Sequence, residues 1–157
     1  MEIKEIVSII RDQGSISLAD SAGEKVTLIN PQAYQSETTG GRGVFLLVDL
    51  FQIRGIAGQF SEVSLDIVEY TSKPTVYTTW ASELLKTGPV NEGKVKFSVL
   101  KKGIWNQIVF AFGRPLVATL IPDQETSDKL NENFPLYSKE VRQLFLGPEG
   151  EVKIIEE

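Results

Sequence analysis

The stretch from Gly43 to Phe51 constrains this chain more than any other. Val44, Phe45, Leu46, Leu47, Val48 and Leu50 are apolar at both strand parities, interrupted at Asp49. Successive side chains of a strand point to opposite faces, so a strand of this kind must be shielded from water on both sides. It is either buried on both faces of a sheet or placed centrally in a sandwich.

Around this strand the chain reads as short β segments with Gly and Pro between them. At the N-terminus Ile3, Ile6, Val7 and Ile10 fall at i, i+3, i+4 and i+7, one stripe of a short helix over Glu2 to Arg11, blurred by Ile9. Ser15 to Leu18 and Lys25 to Ile29 flank the polar segment Ala19 to Glu24 and predict a first hairpin, which Asn30-Pro31 ends. Gln35 to Arg42 reads as a polar surface loop. Val63, Leu65 and Ile67 alternate as in a one-sided strand, and Val68 and Tyr70 on the other parity suggest a bulge. Val76 to Trp80 returns after the turn Ser72-Lys73-Pro74, and Val95, Phe97 and Val99 give the clearest half-buried strand. Gln107 to Phe112 and Leu116 to Ile121 read as two more strands joined by Gly113-Arg114-Pro115. Strands at such spacing predict a mainly β chain, an antiparallel β-sandwich or barrel.

The C-terminal part is different. A polar stretch from Pro122 to Asn133 precedes Leu136, Val141, Leu144 and Leu146, then Gly147-Pro148-Glu149-Gly150, then Val152, Ile154 and Ile155. This reads as a C-terminal hairpin or arm, as the start reads as a short N-terminal helix or arm. The expected organisation is an N-terminal arm and first hairpin (1–34), a central sandwich (35–122) and a polar spacer with C-terminal arm (123–157), all within one structural domain. Candidate interface residues are Ile3, Ile6, Val7, Ile10, Arg114, Leu136, Tyr137, Leu144, Phe145, Ile154 and Ile155. Deleting Leu136 to Glu157 is expected to leave the sandwich folded but to weaken assembly.

The chain has no histidine and no cysteine, which removes catalytic triads, thiolate nucleophiles and imidazole or thiolate metal sites together. Carboxylate, lysine or tyrosine chemistry is left. Asp49, Glu62, Asp66 and Glu69 are neighbours in sequence, but paired carboxyl groups act only when held at a fixed separation in a cleft. They read as solvated strand-face acids, with Asp49 hydrogen-bonded at a strand end. Gly40-Gly41-Arg42-Gly43 lacks the Lys-Ser/Thr of a phosphate loop and precedes a strand, so it reads as a turn. No catalytic, cofactor or metal residue is assigned, and the chain is not expected to be an enzyme.

The net charge is -5, from 21 acidic and 16 basic residues, so nucleic acid and anionic membranes are not expected partners. Lys94, Lys96, Lys101 and Lys102 read as a solvated strand face plus a turn. Tyr70, Tyr77, Trp80 and Trp105 read first as core, then as a protein interface, then as a ligand platform. Apolar runs fall far short of the roughly 20 residues that cross a bilayer. The polar start Met1-Glu2-Ile3-Lys4-Glu5 is unlike a signal peptide, which places the chain in the cytoplasm where it is made unless it leaves inside a particle.

The Gly-led strand Gly43 to Leu50, the loop Ile53 to Gly58, the segment Glu62 to Tyr70, the strand Val76 to Trp80 and the Gly-started strand Gly93 to Val99 follow one another in an order that resembles β-sandwich virion proteins of tailed bacteriophages. The resemblance covers about residues 40–121. It implies a capsid cement (decoration) protein, a homotrimer that stabilises a shell by contact with the major capsid protein or another virion protein, or else a neck or tail component, synthesised in the host cytoplasm and located in the virion. Gly113-Arg114-Pro115-Leu116 departs from the basic-aromatic last strand of that family. The competing readings are a small-molecule or carbohydrate-binding β-sandwich and a carboxylate-based hydrolase or lyase.

Overall fold

Val44 and Leu46 point to one side of a sheet and Phe45 and Leu47 to the other, and all four are buried. The computed structural model describes residues 1–34, 43–120 and 128–155. In chain order the elements are α1 (Ile3–Gln13), β1 (Ser15–Ala19), β2 (Lys25–Ile29), β3 (Val44–Leu47), α2 (Glu62–Tyr70), β4 (Thr75–Trp80), β5 (Lys94–Val99), α3 (Gly103–Phe112), β6 (Leu116–Thr119), β7 (Arg142–Leu146) and β8 (Val152–Ile154), with short 3-10 helices at Pro31–Ala33, Leu50–Gly55 and Pro135–Tyr137. The strands form one mixed sheet in the order β1-β2-β6-β3-β5-β4-β7-β8. β3 runs parallel to β5 and β4 parallel to β7, and the other pairs are antiparallel.

The expected antiparallel sandwich is therefore replaced by an α/β arrangement. What covers the sheet is helix and loop rather than a second sheet. On one face α1 and α3 bury Ile6, Val7, Ile10, Trp105, Ile108, Val109 and Phe112 against Leu18, Leu28, Leu46 and Leu116. On the other, Ile53, Ile56 and Val68 lie against Phe45, Leu47, Tyr77 and Phe97. The central strand is sandwiched, but between helical layers.

Two segments read as strands are helices. Val63 to Tyr70 is α2, begun by the Ser61 hydroxyl, which accepts from the Ser64 amide at 3.1 Å. The parity slip at Val68 is the helical period itself, not a bulge: Ser64 and Val68, four apart, are the fully buried positions. Gln107 to Phe112 belongs to α3, whose buried residues Trp105, Ile108, Val109 and Phe112 form an i, i+3, i+4, i+7 stripe beginning before the apolar run. Gly113, at φ 86, ends it in the left-handed region with its amide on the Val109 and Phe110 carbonyls. Gly113-Arg114-Pro115 thus joins a helix to a strand. The N-terminal helix, the first hairpin and the strands at 44–47, 75–80, 94–99 and 116–119 lie where the sequence places them.

The C-terminal residues are built into the sheet. β7 pairs with β4 over Thr75↔Arg142 to Thr78↔Phe145, and Leu136 and Leu146 are buried. Phe134 stacks edge-on against Trp105 at 4.9 Å, and the Tyr137 hydroxyl donates to the Lys25 and Leu120 carbonyls. Burial, with Glu24 and Asp20 nearby, raises the Tyr137 phenol above its ordinary range. Asp20 joins the two ends of the chain. It is 1% exposed, and its carboxylate accepts from the Ala22 and Glu24 amides at 2.9 Å each and from the Phe134 amide at 3.0 Å.

Two outcomes follow. Removing Arg142 to Glu157 strips β4 of one of its two partners and uncovers Leu146's neighbours, so the truncated chain is expected to lose cooperative thermal unfolding; a sharp transition near that of the full chain would contradict this. Asp20→Ala leaves three amides without their acceptor and is expected to cost about 3 kcal/mol in urea unfolding. Asp20→Asn, which keeps one acceptor oxygen, should fall between.

Candidate functional site

The helical cover on the α1/α3 face stops short of the far half of the sheet. Cross-strand register defines what is left open there. Thr78 pairs with Lys96 and with Phe145, Phe145 with Lys153, and Trp80 with Lys94. Because alternate residues share a face, Lys94 and Lys96 of β5, Thr78 and Trp80 of β4, Phe145 of β7 and Lys153 of β8 project from the same side. Lys96, Lys153 and Trp80 are exposed, and Lys94 and Phe145 half-buried. The Trp80 and Phe145 rings meet edge-on at 6.4 Å and 89°. The Lys94 ammonium stands 5.0 Å from the Trp80 ring and 5.8 Å from the Phe145 ring, within range of a cation-π attraction.

Beside these residues is a small hollow of about 170 Å³ lined by Gly43, Thr78, Asn91, Glu92, Lys94 and Lys96 among others. Its wall is the turn into β5. The Asn91 amide donates to the Lys94 carbonyl at 2.9 Å and the Lys94 amide to the Asn91 carbonyl at 3.0 Å, with φ 53 at Glu92 and 76 at Gly93. Positive φ at both central positions is the requirement of a type I′ hairpin turn, which glutamate fits poorly. Glu92 also sets one carboxylate beside the lysines. The arrangement is an exposed indole met edge-on by Phe145 and bordered by ammonium groups, suited to a planar ring that carries negative charge.

The sequence-nominated residues distribute differently. Ile6, Val7, Ile10 and Leu136 are core, and Ile3 packs against it. Tyr137 is half-buried and tied by its hydroxyl, while Leu144 packs on the second core. Phe145 joins the open face, Ile154 is 83% exposed on the edge strand β8, and Ile155 is half-buried beyond it. Arg114 is exposed at a separate cleft.

The lysine cluster splits. Lys94 and Lys96 belong to the face just described, but the Lys101 ammonium donates to the carbonyls of Val68, Glu69 and Thr71 at 2.8, 2.7 and 2.6 Å, closing the C-terminus of α2. Burial there draws Lys101 below the ordinary lysine range, opposed by the Glu69 carboxylate. Lys102 is the N-cap position of α3.

Of the four aromatics, Tyr77 and Trp105 are core, Trp80 is on the open face and Tyr70 is exposed at the end of α2. Asp49 caps the 3-10 helix at Leu50 by accepting from the Gln52 amide at 3.1 Å, and Glu62, Asp66 and Glu69 are exposed on α2. Gly40 to Arg42 lie outside the described residues. The signal that marks the face was present in sequence: Lys94 and Lys96 share a parity within one alternating strand. What it lacked was the partner strand carrying Trp80 and Phe145.

No protein-family model matches the sequence, and no curated protein does. Solved structures do match in fold. The chain is similar to E. coli YciO, with a TM-score of 0.71 at 13% identity over 99% of this chain and 88% of that one. It is also similar to P. abyssi Sua5 complexed with L-threonine, with a TM-score of 0.68 at 13% identity over 93% of this chain. A third match is full-length HypF in its phosphate- and nucleotide-bound form, with a TM-score of 0.65 at 12% identity over 98% of this chain. The chain spans about half of Sua5 (52%) and 28% of HypF.

These matches overturn the virion resemblance. The fold is that of YciO and of part of Sua5 and of HypF rather than of a phage β-sandwich. The capsid cement role, the trimer, the major capsid protein as partner and the virion location rested on that resemblance and fall with it. The exclusion of nucleic acid from net charge falls too, since the chain shares its fold with part of HypF, a protein solved in a phosphate- and nucleotide-bound form. Overall charge does not describe one face. Among the described residues no helix is long and apolar enough to cross a membrane.

The turn geometry generates its own test. Glu92→Asn creates the Asn-Gly pair that a type I′ turn prefers and is expected to stabilise the fold by about 1 kcal/mol. An unchanged or lowered urea midpoint would contradict the turn assignment.

Proposed function

We propose that the chain is a nucleotide-binding module whose site is the open half of the sheet, with Trp80 and Phe145 receiving the base and Lys94, Lys96 and Lys153 the phosphates. The observation that carries this reading is the Lys94 ammonium 5.0 Å from the exposed Trp80 ring, beside Phe145. Stacking on an aromatic ring is worth about 1–3 kcal/mol per base and tolerates any base, because each has a π-face. The lysines add an attraction that salt weakens. HypF, part of which is similar in fold, was solved with phosphate and nucleotide, and Sua5 with L-threonine; all three ligands are small and charged.

The module binds its nucleotide without transforming it. The chain contains no histidine or cysteine. Its nominated carboxylates are otherwise placed, with Asp49 as a helix cap and Glu62, Asp66 and Glu69 on α2. A general acid or base must reach the reacting group within hydrogen-bond distance; none of these four belongs to the open face, and Glu92, the carboxylate beside it, is exposed on a turn.

The two tryptophans make the test direct, since Trp80 is 45% exposed and Trp105 2%. Titrating ATP should quench tryptophan fluorescence in the native chain and not in Trp80→Phe. Lys96→Glu should weaken binding by about tenfold or more, and raising the salt should weaken it further. ATP should be recovered intact. Equal affinity in Lys96→Glu, or quenching that survives Trp80→Phe, would overturn the assignment.

A further inference from the structure

The opposite face of the sheet carries a second cleft that the nucleotide reading does not use. It has a volume of about 300 Å³ and lies where the end of β2, the start of β6 and the 3-10 helix after β3 converge. Phe45, Ile56, Leu85 and Pro115 give it an apolar floor. Asn30, Gln52 and Arg114 stand among its polar groups, and no acidic residue is among the described residues that line it. In a chain with 21 acidic residues against 16 basic ones, an acid-free surrounding for a guanidinium is a specific feature.

The amide orientations sharpen the chemistry. The Gln52 side-chain oxygen accepts from the Val48 amide at 2.7 Å, and the Asn30 side-chain oxygen accepts from the Gln32 amide at 3.1 Å. Each oxygen thus already accepts one bond within the fold, and the N–H groups of both side chains are left to donate. Arg114 lines the cleft, and its guanidinium lies 5.6 Å from the ring of Phe112, at the end of α3, which the Arg11 guanidinium also approaches, at 5.7 Å. Asn30, Gln52 and Arg114 together offer donors, and Arg114 is the one charged side chain among the described residues that line the cleft.

We propose that this cleft binds a small carboxylate with a compact apolar body, the carboxylate on Arg114 with Asn30 and Gln52 donating, the body on Phe45, Ile56 and Leu85. A planar guanidinium matches the two oxygens of a carboxylate. A phosphate dianion would call for more positive charge than one arginine supplies. The volume, at the low end for ligand sites, sets the size near that of a single ring or a short branched chain. The site is independent of the nucleotide face, because Phe45 points away from the side on which Lys96 and Trp80 stand.

Phenylacetate, phenylacetamide and phenyl phosphate, alike in body, are the probes, measured on the full chain by calorimetry and by saturation-transfer NMR. The expected result is that phenylacetate binds at least about tenfold more tightly than either of the others. Arg114→Ala should abolish that preference, while Lys96→Glu should leave it intact and separate this site from the nucleotide face. Arg114 is exposed, so the variant should unfold at the native temperature, which thermal melting checks. Equal binding of acid and amide, tighter binding of phenyl phosphate, no binding of phenylacetate, or an unchanged preference in Arg114→Ala would each overturn the proposal.

Discussion

The rest of the structure depends on β3 being excluded from water on both sides. Four residues, Val44 to Leu47, divide their side chains between two separate cores, so the sheet must be covered on each face where β3 runs. One cover is helical, from α1 and α3. The other includes the segment around Gly88, where φ is 101 and an added Cβ would lie 2.4 Å from the Phe45 ring. Backbone packs directly on the aromatic ring there, and only glycine permits both the conformation and the approach.

That requirement weakens with distance from β3, and the asymmetry of the molecule follows. α1 and α3 cover β1, β2, β6 and β3 on their face, and no residue of β7 or β8 is buried in that core. The sheet nevertheless continues through β5, β4, β7 and β8. β5, β4 and β7 satisfy their backbones in the ladder and bury Phe97, Tyr77 and Leu146 on the other face, while the edge strand β8 stays exposed, so the uncovered positions are free to be lysine, threonine and aromatic. A binding surface arises where the sheet outruns its cover. The cleft at Arg114 has a comparable origin, since it opens where loops from three strand ends fail to close over the second core.

Most strands were legible because their signals are local. The alternation of Val95, Phe97 and Val99 and the double-parity run at Val44 required no knowledge of neighbours. The helices were harder. Short α2 buries Ser64 together with Val68, so its inward position is polar, and Val63, Leu65 and Ile67 imitate strand alternation. In α3 the run after Gln107 is apolar enough to hide the stripe that begins at Trp105. The site was half legible: Lys94 and Lys96 share a parity, but Phe145 lies 49 positions beyond Lys96 and reaches it through β4. Parallel pairing of β4 with β7 is a long-range fact, and no local pattern announces it.

The central claim is that nucleotide binds the uncovered sheet face and not the loops at its ends. Backbone amide shifts of the isotope-labelled chain, followed during titration with AMP, test it most directly. The account predicts perturbations concentrated at Thr78, Trp80, Lys94, Lys96, Phe145 and Lys153, with Asn30, Gln52 and Arg114 unmoved. Perturbations centred on those last three residues, or none on β4, β5 and β7, would contradict it.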